Sequence, residues 1–93
     1  MESRRKESIP TIIGGGRVLL FTRIDERHVA RHGFRLPFGL AICEADDGAV
    51  FLFTCEHAWV PVHDSWHQTV DEAMRQAAFE FEGVASTWEH PPS

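Results

Sequence analysis

The sequence predicts an α+β fold: a small antiparallel sheet of three to five strands with one C-terminal helix packed on one face, in two layers. Three observations carry this. Asp47-Gly48 separates two apolar runs, the mark of a β-hairpin. Thr69 and Glu72 form a capping box that opens a run with helical apolar spacing. A chain of 93 residues, 43% hydrophobic, holds one core and one domain.

In chain order, residues 1–9 are polar and charged and are expected to be a disordered N-terminal segment. The domain is expected over residues 10–88, with a flexible tail over 89–93. Thr11-Ile12-Ile13 suggests a short strand, and Gly14-Gly15-Gly16 a tight turn. The triplet is no phosphate loop, because the Gly-Lys-Ser/Thr end and the following helix are absent. Arg17 to Ile24 reads as a strand, with Val18, Leu19, Leu20 and Phe21 apolar. Residues 25–35 are polar and read equally as a helical turn or a loop.

The hairpin joins Leu36–Ala45 to Ala49–Cys55. A two-residue Asp47-Gly48 loop pairs Asp46 with Ala49, Cys43 with Leu52 and Cys55 with Leu40. Cys43 and Cys55 then point to opposite faces and cannot form a disulfide. Pro61 ends this region, and His63 to Gln68 is expected to be an irregular connector holding Trp66. Val70, Ala73, Met74, Ala77 and Phe81 then follow helical spacing, so a helix is expected from Val70 to Glu82. Gly83 suits the left-handed position after it, with Val84 touching Phe79.

Several chemistries are excluded or weakened. There is no Tyr, so no Tyr general acid. The two cysteines lack C-x-x-C spacing, sit in apolar runs and read as reduced, buried thiols. No segment reaches the roughly 18 apolar residues of a membrane span, and no secretory h-region follows the charged N-terminus. The cytoplasm is the expected location. His63-Asp64-Ser65-Trp66-His67 has two His at i and i+4, but that spacing holds a metal only on a helix. Ser65 lacks the elbow of a hydrolase nucleophile. No catalytic residue, metal ligand or cofactor is therefore assigned.

Charge is uneven. Residues 1–35 carry eight Lys/Arg against four Asp/Glu, and residues 36–93 carry one against ten. The net charge of −5 counts against nucleic acid as a partner. Arg27, Arg31 and Arg35, four residues apart, form the basic patch. The candidate binding residues are these three with Trp59, His63, Asp64, Trp66 and His67.

The stretch Asp64-Ser65-Trp66-His67, then Glu72-Ala73, Gln76-Ala77-Ala78-Phe79-Glu80-Phe81 and Trp88, resembles the C-terminal portion of a group of small uncharacterised bacterial proteins. It covers about a quarter of the chain. The resemblance implies a bacterial stand-alone domain and carries no activity or ligand with it.

The function expected from these features is a non-catalytic binding or interaction module, regulatory or immunity-type, with a protein partner. The alternative is a small enzyme or metal site at His63, Asp64 and His67. A homodimer is also expected. The strands read apolar on both faces, one helix covers only one face, and a two-fold sheet contact would bury the other.

Overall fold

The computed structural model describes residues 9–92. In chain order the elements are β1 (Ile12–Ile13), β2 (Gly16–Arg23), β3 (Val29–Ala30), β4 (Gly39–Glu44), β5 (Val50–Glu56), β6 (Val60–His67), α1 (Val70–Glu80) and β7 (Phe81–Glu82). Five strands form one antiparallel sheet in the order β1-β2-β4-β5-β6, and β3 pairs with β7 in a separate ribbon. The helix packs on one face of the sheet, as the sequence predicts. No helix among the described residues is long and apolar enough to cross a membrane.

Gly14 and Gly15, both at positive φ, make the two-residue turn between β1 and β2. The β4–β5 hairpin differs from its expected register. Ala45 donates its N–H to Ala49 and accepts from Gly48, each at 2.9 Å, so the loop is Asp46-Asp47-Gly48. Only Gly48 is left-handed, and the Asp47 carboxylate accepts the Ala49 N–H at 3.0 Å. This is a type I turn closed by a left-handed glycine, one residue longer than the two-residue loop. Cys43 therefore pairs with Phe51 and Gly39 with Cys55. The one-residue slip puts both cysteines on the same face, correcting the opposite-face expectation. They remain free thiols, separated by four ladder positions, about 13 Å.

The central strands β4 and β5 are covered on both sides, while the edge strand β6 is largely exposed. Leu40, Ile42, Val50 and Leu52 pack against Ala73, Ala77, Phe81 and Val84 on the helix side. The other face carries its own core of Ile9, Ile13, Val18, Phe21, Ala41, Cys43, Phe53, Cys55 and Trp59. Register shifts at Val18/Leu20 and at Thr54/Cys55 curl the sheet around that second core. The part of the second face formed by β2, β4 and β5 is thus filled from within the chain, while Trp66 on β6 stays exposed there. Residues 1–8, most of the expected disordered segment, lie outside the described residues. Ile9 belongs to the second core, and Glu89 exchanges main-chain hydrogen bonds with Phe21 at 3.0 and 2.8 Å.

Two further expectations are corrected. His63 to His67 is no irregular connector but part of the edge strand β6, running beside β5 from Val50↔His67 to Glu56↔Val60. Pro61 is tolerated because an edge strand has one row of unpaired main-chain groups. The helix ends at Glu80, where the Arg31 N–H bonds the Glu80 carbonyl at 2.8 Å, and Phe81 turns extended to pair with Ala30. Val84 is fully buried, while Phe79 stays exposed and stacks on His32 at 4.2 Å. The N-terminal end follows the sequence: Thr69 Oγ1 accepts the Glu72 N–H at 3.1 Å, and Glu72 accepts the Gln68 N–H at 2.9 Å.

Candidate functional site

A long connection, residues 24–38, leaves the sheet after β2 and returns at β4. Connections of this length with little regular structure are commonly functional. Its first part is locked in place. Arg27 forks onto the Asp25 carboxylate at 2.9 to 3.2 Å and holds that carboxyl down at about 2. His28 is buried. Its Nδ1 accepts the Asp25 N–H at 3.1 Å and its Nε2 donates to Thr87 Oγ1 at 3.0 Å. Thr87 in turn bonds Thr22 at 2.7 Å, so the network ties the connection to β2 and the C-terminal segment. Arg31 approaches Glu82 at 3.9 Å.

Beyond this anchor, His32 and Gly33 at positive φ turn the chain, with the Arg31 carbonyl accepting from Phe34 at 2.9 Å. The segment then runs over the helix-side face of β5 and β6. Between them lies a cleft of about 620 Å³, lined by Phe34, Arg35, Pro37, Leu52, Thr54, Glu56, His63, Asp64, Ser65, Glu80 and Phe81, with Gly33 at one end. The strand register accounts for this set. Leu52, Thr54 and Glu56 alternate onto the helix side, and Thr54 and Leu52 face His63 and Ser65 across the ladder. Leu52, Pro37 and Phe81 form a buried apolar floor, and Phe34 lies 5.9 Å from Phe81. Arg35 makes no ion pair among the described residues.

The candidate residues from the sequence separate accordingly. The cleft unites Arg35 with His63 and Asp64, residues from two distant stretches. It leaves out Arg27 and Arg31, which have carboxylate partners. Trp59 is a core residue, edge-on to Phe21 at 5.7 Å and to Phe38 at 5.1 Å. Trp66 pairs with Phe51 on the opposite face and is 58% exposed. His67 bonds Ser65 Oγ through Nε2 at 2.8 Å. Asp64 pairs with Phe53, so alternation turns its side chain away from His63 and His67. Among the described residues no three His, Cys, Asp or Glu side chains converge as metal ligands. Burial pushes both thiols up to about 12, with the Cys55 thiol adding to the effect at Cys43 and Glu56 to that at Cys55, so neither is a thiolate nucleophile near neutrality.

Sequence reasoning missed Phe34, Thr54, Glu56 and Phe81 as lining residues. The available signal was the length of the polar connection between two apolar strands. No protein-family model, curated protein or solved structure matches the chain.

Proposed function

We propose that this protein is a non-catalytic binding module of a regulatory or immunity type, and that its ligand seat is the cleft between residues 33–37 and strands β5 and β6. The observation that carries this reading is the composition of that cleft. An apolar floor is rimmed by one guanidinium, two carboxylates, an imidazole and two hydroxyls, the pattern of sites that bury a ligand and orient it by a few polar groups. The C-terminal resemblance supports a stand-alone bacterial module, and the two buried, protonated thiols suit a reducing cytoplasm. Amide chemical shifts during titration with n-butylguanidinium, n-butylammonium and butyrate test the seat. Shifts gathered at Thr54, Glu56, Ser65 and Phe81 are expected with at least one probe. No shift there with any of them would remove the reading.

One observation favours the enzymatic alternative: the Ser65–His67 hydrogen bond at 2.8 Å pairs a hydroxyl with a base beside the cleft. A working dyad also needs an orienting group on the imidazole and oxyanion donors. The His67 imidazole has no second hydrogen-bond partner among the described residues. A fluorophosphonate probe is expected to leave Ser65 unlabelled, and stoichiometric labelling would favour the hydrolase instead.

A further inference from the structure

The chain covers one edge of its sheet and leaves the other bare. On the outer side of β2, Thr11 accepts the Val18 N–H at 2.9 Å and Glu89 bonds Phe21 in both directions. On the outer side of β6 no main-chain bond is made among the described residues.

The Ala45–Ala49 bond determines which groups face out there. In an antiparallel ladder each residue turns its N–H and C=O to the same neighbour, and successive residues alternate. Ala49, Phe51 and Phe53 therefore face β4, while Val50, Leu52 and Thr54 face β6 and meet His67, Ser65 and His63. Asp64 and Trp66 then aim their N–H and C=O groups away from the sheet. Pro61 and the register shift at Thr54/Cys55 blunt this edge upstream, but the ladder is regular from His63 to His67. Asp64 borders the cleft although its side chain lies on the far face, so the cleft opens onto this free edge. Glu56 and Glu80 outnumber Arg35 among the cleft's fixed charges, within a stretch, residues 36–93, of ten acidic residues and one basic residue.

We propose that an extended peptide segment of a partner protein adds to β6 as a sixth strand at Asp64 and Trp66 and sends an Arg or Lys side chain into the cleft. The inference rests on the cleft being the ligand seat. Strand addition supplies main-chain hydrogen bonds, and the cleft selects the side chain. The carboxylates attract its charge, and the Phe34 and Phe81 rings accommodate its stem.

The test is an amide-shift titration with four probes: a capped pentapeptide of alternating valine and threonine with a central arginine, the same peptide with central glutamate, the arginine peptide N-methylated at the two residues flanking the arginine, whose N–H groups would face β6, and n-butylguanidinium. The arginine peptide is expected to shift the Asp64 and Trp66 amides together with Thr54, Ser65 and Phe81. The glutamate and N-methylated peptides should bind about tenfold more weakly or worse. Trp66→Pro, which removes one outward N–H at a residue outside the cleft lining, should weaken the arginine peptide but not n-butylguanidinium. Shifts confined to the cleft, equal for the plain and N-methylated peptides, would overturn the strand addition and leave the cleft reading intact. No response to any probe, n-butylguanidinium included, would overturn the proposal and count against the cleft itself.

Discussion

Burying the His28 imidazole is tolerable only because both ring nitrogens have partners, the Asp25 N–H and the Thr87 hydroxyl. Thr87→Val keeps the shape and strands Nε2, so it is expected to cost about 1–3 kcal/mol in urea denaturation. His28→Leu should cost a similar amount, and the double variant less than the sum, because each single change leaves the other partner unpaired. Full additivity would mean that the two side chains do not communicate. The thiols offer a second test at this scale. Their folded value of about 12 lies above the ordinary 9.0, so the unfolded chain loses these protons first. Stability from the protonated thiols is complete below about pH 9 and is lost as pH rises towards about 12. With no Tyr and one Lys in the chain, little else titrates in that window. A Cys43→Ala/Cys55→Ala variant should therefore show a flatter alkaline stability profile than the parent.

At the scale of the element, the helix start and the turn after Glu82 are the places to probe. Thr69→Ala removes the N-cap bond and should cost about 0.5–2 kcal/mol. Gly83→Val should cost more, because Gly83 sits at φ 100° and an added Cβ would meet the Arg27 carbonyl at 2.7 Å. If thermal unfolding shows Gly83→Val to be the milder change, the packing of the connection against this turn is not as described. The same elements show what was legible in the sequence. The helix was legible because spacing and cap agree, but its last turn was not. Phe81 and Glu82 are drawn into pairing with Val29 and Ala30, a contact across some fifty residues. The hairpin was legible but its register was not, since two- and three-residue loops differ only in whether Asp47 joins Gly48 at positive φ. Strand β6 was hidden because an exposed edge needs no apolar alternation and Pro61 argues against a strand. The cleft was hidden because its walls meet only through the fold.

For the whole molecule, the question is what drives association. A sheet-to-sheet dimer was expected because one helix covers one face. Ile9, Ile13, Phe21 and Trp59 occupy much of the other face, so within-chain packing uses most of that driving force and leaves Trp66 as its exposed remnant. Light scattering at micromolar concentration should give 10.6 kDa, independent of concentration. A mass near twice that value would restore the dimer and make the bare β6 edge its first suspected contact.

The covered edge of β2 has another consequence. Thr11 bonds Val18 and Glu89 bonds Phe21, so the two ends of the described chain are attached about 10 Å apart along a single strand. A short glycine-serine bridge can span that gap, while the Asp46-Asp47-Gly48 loop is exposed and lies at the far end of the central hairpin. A circular permutant closed at the old ends and opened at this loop keeps every strand pairing and the cleft. It would turn the β4–β5 contact from a local hairpin pairing into one between the two new termini. It should therefore fold more slowly than the parent at similar equilibrium stability.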